Sequence, residues 1–166
     1  MLQKIYVDMD GVLCDFLKRF YDLYGVKPER DYPSKNAAKT EYKERFKAFI
    51  KDGNFETLDT MPDYALSMEF LCSIENKYEI QLLTSSAKPK YMDDISLQKH
   101  IWLKKHDIHW PVIIVPGKKL KQYYATPVSL LIDDTLSNVV EWRDRGGPAI
   151  WHTSWAKTIR EIEEYL

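Results

Sequence analysis

Residues 5–16 read IYVDMDGVLCDF and place three carboxylates directly after a short apolar run: Asp8, Asp10 and Asp15. The apolar residues predict a β-strand that stops abruptly at Asp8, and Gly11 gives the chain the freedom to turn. Acidic side chains at this density either solvate a turn or hold a cation and do chemistry. The rest of the sequence has to decide between these two interpretations.

The composition fits one folded domain with no strong electrostatic preference. The chain has 166 residues, with 24 Lys+Arg against 25 Asp+Glu and a formal net charge of −1. This balance gives no reason to expect a long nucleic-acid footprint or a membrane surface as partner. Two cysteines make no disulfide framework, and the first residues contain no apolar run long enough for a signal peptide. We therefore expect a cytoplasmic protein.

The pattern of apolar residues changes along the chain. Three helical stripes follow the first strand, with a loop predicted over residues 26–36. After them, short apolar runs alternate with helical stripes, which is typical of a parallel sheet buried on both faces. The later strands are predicted over residues 79–83, 112–115, 128–132 and 148–151.

The predicted strands deliver polar residues to one edge of the sheet. In open parallel sheets, ligands bind in the crevice outside the carboxyl ends of the strands. We therefore expect these strand ends to meet at one site. The segments expected there are Asp8 to Asp10, Thr84-Ser85, residues 116–121 and Asp133-Asp134.

These residue types together suit phosphoryl transfer. Four carboxylates at one point repel each other unless a cation lies among them or some of them take up protons. Hard oxygen ligands without nearby Cys or His suit Mg²⁺. Lysines and hydroxyl groups suit a phosphate. An aspartate can act as a nucleophile and form an aspartyl-phosphate, while a second aspartate moves protons.

The motifs carry a resemblance to a known family. Residues 8–12 (DMDGV), Thr84, a loop lysine and Asp133-Asp134 resemble the four motifs of the haloacid dehalogenase-like (HAD) phosphohydrolases. Within these, DMDGVLCDF, LLTSS and LLIDD look like the 5′(3′)-deoxyribonucleotidases. The resemblance implies an α/β fold, a Rossmann-like parallel sheet with helices on both faces, and a small helical cap inserted after the first strand. The implied HAD core is 1–16 and 78–166, and the implied cap is 17–77.

The resemblance also assigns roles to the strand-end residues. It implies that Asp8 is the nucleophile, Asp10 the general acid and base, and Thr84 the phosphate-binding hydroxyl. It implies a Mg²⁺ ion held by Asp8, by the backbone carbonyl of Asp10, and by Asp133 or Asp134. One of these last two binds the metal directly and the other through water.

The motif lysine is not decided by the sequence. Lys118, Lys119 and Lys121 all lie in the loop, and Lys121 is preferred because it is closest to the following strand. Ser85 and Lys88 are candidates for further contacts to the phosphate.

The aromatic residues suggest a substrate with a base. Phe16 matches a position that packs against the base in deoxyribonucleotidases, and Phe55 is a second candidate, with packing in the core as the alternative for both. The preferred substrate is a deoxynucleoside monophosphate, with no stable nucleic-acid or membrane partner, and a homodimer is left open. The alternatives are a phosphatase for a sugar phosphate or a nucleic-acid 3′ end, and a catalytically idle module that binds a phosphorylated ligand.

Asp15 is expected to order the turn through local hydrogen bonds.

Overall fold

A computed structural model describes residues 1–26 and 35–166, and for residues 35–39 it describes the backbone alone. The loop predicted over residues 26–36 therefore lies largely outside the described residues. Its last two positions are helical, because the second helix begins at Lys35.

The described residues form one sheet of five parallel strands. The register pairs Val7 of the first strand with Leu82 on one side and Ile132 on the other. The fold prediction is confirmed. The strands are β1 (Lys4–Val7), β2 (Glu79–Ser85), β3 (Val112–Val115), β4 (Ser129–Asp133) and β5 (Ala149–Trp151). Their order across the sheet is β3-β2-β1-β4-β5.

Helices of two kinds connect the strands. The α-helices are α1 (Phe16–Tyr24), α2 (Lys35–Lys51), α3 (Tyr64–Ile74), α4 (Met92–Lys105), α5 (Leu136–Asp144) and α6 (Trp155–Ile162). Short 3-10 helices cover Asn54–Thr57, Pro89–Tyr91 and Lys118–Tyr124. None of the described helices combines the length and the apolar character that crossing a membrane would require.

Helix α4 begins earlier than its apolar pattern indicates. The sequence predicts a helix from residue 97, whereas the structure starts it at Met92. Asp93 and Asp94 lie in its first turn, where negative charge is favourable next to the free N–H groups of a helix. Because this first turn carries acidic residues, the apolar stripe alone does not indicate it.

Both faces of the sheet are buried, as the continuous apolar strands require. Ile5 and Val7 of β1 pack in the larger core cluster with Trp102 of α4 and Trp155 of α6. Tyr6, whose side chain points to the opposite face, belongs to a second cluster. That second cluster also contains Leu83, Leu131 and Trp142 of α5.

The order of the strands places the end of β1 at a reversal of the topology. From β1 the chain continues to β2 and β3 on one side, and then returns to β4 and β5 on the other. The crevice at such a reversal is where ligands bind in open α/β sheets. Asp8 is the first residue after β1, so it lies at this point.

The segment that follows β1 is hydrogen-bonded to the segment that precedes α3. The Asp15 N–H donates to Asp59 O at 2.8 Å, and the Met61 N–H donates to Leu13 O at 2.9 Å. Asp15 also caps α1, because its Oδ1 accepts the Lys18 N–H at 3.1 Å, in agreement with its predicted local role. Helices α1 to α3 all lie between β1 and β2, and the division into a core and a cap stays a prediction.

Candidate active site

Asp8 is fixed by hydrogen bonds at the end of β1. Its backbone N–H donates to Ile132 O of the neighbouring strand at 3.0 Å. Its Oδ1 accepts the Met9 N–H at 2.8 Å and lies 2.9 Å from Lys121 Nζ. No described residue donates a hydrogen bond to its Oδ2. One oxygen of the carboxylate is therefore held in place, while the other is available.

Lys121 lies buried between two carboxylates. Its Nζ contacts Asp133 Oδ2 at 2.7 Å as well as Asp8. Asp133 is fully buried, and its oxygens also accept hydrogen bonds from Asn138 Nδ2, at 3.0 and 3.1 Å, and from the Thr135 N–H at 2.8 Å. Both oxygens of Asp133 are thus engaged, and this residue serves to anchor Lys121.

Asp134 is much less constrained by hydrogen bonds. Among the described residues, its carboxylate accepts one hydrogen bond, from Thr135 Oγ1 at 3.3 Å. It lies against Gly11, where a Cβ atom would be 2.0 Å from Asp134 Oδ2. The turn after Asp10 can approach Asp134 this closely because position 11 has no side chain.

Burial and mutual repulsion shift the pKa values of the acidic groups. Burial raises the pKa of Asp134 from 3.8 to about 8, with Asp8 and Asp133 adding to the rise. Burial likewise raises the pKa of Asp8 to about 6, although Lys121 opposes the rise. Burial alone would lower the pKa of Lys121, but Asp133 and Asp8 raise it overall. Burial and the neighbouring carboxylates thus disfavour the charged forms of Asp8 and Asp134.

The residues present fit a divalent metal ion. Asp8, Asp133 and Asp134 each offer a carboxylate oxygen, and these atoms lie within 4.8 Å of one another. All are hard oxygen donors, as Mg²⁺ prefers. Counted with Asp10, four carboxylates face the two buried ammonium groups of Lys99 and Lys121, so two negative charges are uncompensated once all four are ionised. Because Asp133 is already saturated, Asp134 and Asp8 are the better placed direct ligands.

Asp10 and Thr84 meet at a second buried lysine. Lys99 Nζ lies 2.6 Å from Asp10 Oδ2 and also donates to Thr84 Oγ1. The other oxygen of Asp10 accepts a weak hydrogen bond from Cys14 Sγ at 3.4 Å. Thr84 is buried at the end of β2. The structure therefore brings together the predicted nucleophile, acid/base and hydroxyl residues at one edge of the sheet.

The remaining polar candidates differ in exposure. Of the three loop lysines, Lys118 and Lys119 are exposed, and Lys121 contacts Asp8. Ser85 is half-buried, and its Oγ accepts the Ala87 N–H at 3.0 Å. Lys88 is exposed, and its side chain makes no hydrogen bond or ion pair with a described residue. The roles of Ser85 and Lys88 stay predictions.

The two predicted aromatic contacts pack against each other. The rings of Phe16 and Phe55 are parallel within 2°, with centroids 5.6 Å apart. A base between two rings needs about 7 Å, twice the contact distance of about 3.5 Å, so no base fits between them as they stand. Phe55 is buried, whereas Phe16 is half-buried. Phe16 is therefore the more accessible of the two rings, and their binding roles stay predictions.

Two residues of the site escaped the sequence analysis. Lys99 lies on the apolar stripe of α4, four residues after Ile95 and three before Trp102. A lysine at such a core position is the sequence feature that could have indicated a buried partner. Asn138 follows Asp133 by five residues at the start of α5, where a polar side chain can turn back to the strand end. Neither belongs to the motifs used to find the site.

Nearly the whole chain matches one family of known proteins. Residues 2–163 match a family model described as "5' nucleotidase, deoxy (Pyrimidine), cytosolic type C protein". No curated protein sequence matches the chain significantly.

Solved structures share the fold. The structure of HAD family enzyme bt-2542 from Bacteroides thetaiotaomicron, a magnesium complex, is 12% identical, with a TM-score of 0.56 over 96% of this chain and 98% of that one. A hydrolase from Streptococcus pneumoniae TIGR4 is 16% identical, with a TM-score of 0.52 over 98% of this chain and 100% of that one. At these identities the likeness establishes the fold alone.

Proposed function

The chain belongs to the family described as "5' nucleotidase, deoxy (Pyrimidine), cytosolic type C protein", and from this premise we propose that it is a Mg²⁺-dependent phosphatase of deoxynucleoside monophosphates. Membership makes the protein an enzyme of the phosphatase class. The metal, the substrate, a cytosolic location and the roles of individual residues are our proposals. The observation that carries them is the buried Asp8, with one oxygen fixed by Lys121 and Met9 and the other free.

Asp8 acts as the nucleophile in the proposed reaction. Its free oxygen attacks the phosphorus of the substrate, and the bond from phosphorus to the leaving alkoxide breaks. Asp10 gives a proton to that alkoxide. In the second step, water attacks the aspartyl-phosphate, Asp10 takes the proton from the water, and phosphate and the Asp8 carboxylate are released. Lys121 Nζ lies 2.9 Å from Asp8 Oδ1 and balances the charge of the Asp8 carboxylate before the attack and after its release.

Mg²⁺ would be held by Asp8 and Asp134, with Asp133 behind them. When bound, the ion supplies two positive charges that compensate the site and a phosphate placed in it. The raised pKa values of Asp134 and Asp8 support this proposal, because burial and the neighbouring carboxylates disfavour their charged forms and a bound cation would favour them.

The half-buried ring of Phe16 is the proposed contact to the base. Stacking a base on one aromatic face contributes about 1–3 kcal/mol, which favours nucleotides but does not select one base. Phe55 would support Phe16 from behind, since the two rings are parallel.

The Asp8→Asn variant tests the mechanism. We expect its kcat with dUMP or dTMP and Mg²⁺ to fall at least about a thousandfold, because the amide is a poor nucleophile. The control is Asp52→Asn, which makes the same change at an exposed position and should retain full activity. Wild-type turnover by Asp8→Asn, measured as phosphate release, would rule the mechanism out.

A sugar phosphate is the second candidate substrate. The observation that favours it is the 5.6 Å spacing of Phe16 and Phe55, which leaves no slot for a base between the rings. A panel of deoxynucleoside monophosphates, ribonucleoside monophosphates and sugar phosphates separates the two. A higher kcat/KM for sugar phosphates than for every nucleotide would replace the first proposal with the second.

A further inference from the structure

Lys99 is a lysine with almost no access to solvent. It is 1% exposed, although lysine side chains usually keep their charge in water. The ring of Phe55 covers it, with the Nζ 5.5 Å from the ring centroid. A buried ammonium group is costly unless it is paired and hydrogen-bonded, so its partners are expected to matter.

The partners of Lys99 are two residues with proposed roles in the reaction. Asp10 and Thr84 lie on different strand ends, and Lys99 reaches both from α4. The contact to Asp10 joins residues 89 positions apart in the chain. Lys99 is thus the one described side chain that contacts both of them, and it does so from behind the site, out of reach of solvent.

The chemistry of the ammonium group fixes the direction of these hydrogen bonds. An ammonium group has three donors and no acceptor, so both partners must accept. The Thr84 oxygen therefore accepts from Lys99, and its own proton is left to donate to a phosphate oxygen. The Asp10 carboxylate is held through Oδ2, and the Cys14 thiol, a weak donor, could not hold it in place of Lys99.

We propose that Lys99 is a positioning residue that holds the Asp10 carboxylate for the second step and turns the Thr84 hydroxyl proton towards the phosphate. This rests on the proposed function, in which Asp10 accepts a proton from the water that attacks the aspartyl-phosphate. Without Lys99, the carboxylate is free to leave the path of the water. The aspartyl-phosphate then forms but breaks down slowly.

The test uses Lys99→Met and an aryl phosphate with an electron-poor ring, such as 4-nitrophenyl phosphate. Its phenolate leaves without needing a proton, so the first step does not depend on Asp10. We expect the steady-state kcat of the variant to fall about a hundredfold or more. We also expect a burst of nitrophenolate and a phosphoryl adduct on Asp8, detected by mass spectrometry of acid-quenched enzyme. The substrate concentration that gives the half-maximal burst rate should rise as well, because the Thr84 proton is no longer directed.

Two further variants separate positioning from a general loss of structure. Lys104→Met makes the same change at an exposed position of α4 and should behave as wild type. Lys99→Arg keeps donors and charge and should recover part of the lost kcat. If Lys99→Met does not fold, Lys99→Gln, which keeps one donor group without the charge, is measured in its place. A fall in kcat without a phosphoryl adduct above the wild-type level would overturn the proposal.

A crystal structure of Lys99→Met tests the positioning role without an assay of enzyme activity. We expect the Asp10 carboxylate in a different rotamer or in several, and an unchanged position would overturn the positioning role. If the wild-type protein hydrolyses no phosphomonoester, the proposed function fails, but this measurement still decides whether Lys99 positions Asp10.

Discussion

At Gly11 the backbone has a φ of +79°, and a Cβ atom would lie 2.0 Å from Asp134 Oδ2. Gly11→Ala therefore combines backbone strain with a displaced carboxylate. We expect the affinity for Mg²⁺, measured by calorimetry, to fall at least about tenfold, since Asp134 is a proposed ligand. We also expect a loss of about 1–3 kcal/mol in the free energy of unfolding.

The matched control for this change is Gly25→Ala. Gly25 also has a positive φ, +71°, but a Cβ atom there meets nothing within 4 Å. Gly25→Ala should lower the free energy of unfolding by a similar amount through backbone strain and should leave the affinity for Mg²⁺ unchanged. Equal losses of affinity in both variants would show that the contact with Asp134 is not the cause.

Single residues of the site were predictable where a local motif carried them. Asp8, Asp10 and Asp133-Asp134 follow apolar runs directly, so the sequence shows both their chemistry and their place at strand ends. Lys99 is different, because its pairing with Asp10 spans 89 positions and no local pattern records it. A lysine on the buried stripe of a helix is a sign that a distant partner exists, but it does not name that partner.

Helix α4 also connects the active-site edge to helix α2. Gln98, which is buried, donates through Nε2 to Ile50 O at 2.8 Å and accepts the Phe55 N–H at Oε1 at 3.0 Å. The Phe55 N–H lies in the first turn of a helix, where partners within the helix are missing, whereas Ile50 O also accepts the Gly53 N–H at 3.0 Å. Gln98 therefore links α4 to the end of α2 and to the segment after it, beside Trp102, whose Nε1 donates to Leu58 O at 2.8 Å.

We expect Gln98→Ala to lower the free energy of unfolding by about 1–3 kcal/mol, because it leaves the buried Phe55 N–H without a partner, while Ile50 O keeps the hydrogen bond from the Gly53 N–H. Urea denaturation measures this loss. Gln122→Ala is the matched control, since the Gln122 side chain donates to Lys119 O in an exposed hydrogen bond. A loss no larger for Gln98→Ala than for Gln122→Ala would contradict the assigned role of the link.

Whole elements were predicted well where apolar periodicity defines them. The five strands and their parallel arrangement follow from short apolar runs separated by helical stripes. The 3-10 helices at Asn54–Thr57 and Lys118–Tyr124 were not predicted, because they are held by contacts with other elements instead of by a stripe of their own. The second of them turns Lys121 inwards, while Lys118 and Lys119 remain exposed.

The whole molecule bears a cost in stability for its acidic site. The pKa of Asp134 is about 8 in the folded protein against 3.8 ordinarily, so the folded state keeps a proton that the unfolded state loses. Since the folded state then binds more protons than the unfolded state, stability falls as the pH rises from about 4 to about 8. A bound divalent cation would remove this cost.

Asp134→Asn should therefore be more stable than the wild-type protein at pH 8 in EDTA, and the difference should shrink towards pH 4. Thermal or urea denaturation measures both. Added Mg²⁺ should stabilise the wild-type protein, by about 2.7 kcal/mol at a concentration of 100 Kd, and should have much less effect on the variant. A variant less stable than wild type at pH 8 without metal would contradict the assignment of the raised pKa to Asp134.

Two backbone hydrogen bonds join Asp15 to Asp59 and Met61 to Leu13. They affect which parts of the sequence can change without disturbing the sheet. These bonds hold the two ends of the segment between α1 and residue 58 side by side. A segment whose ends lie side by side can be lengthened, shortened or exchanged without a change in the order of the strands. Variation in that segment can therefore accumulate while the proposed catalytic residues Asp8, Asp10 and Thr84 keep their places at the ends of the strands.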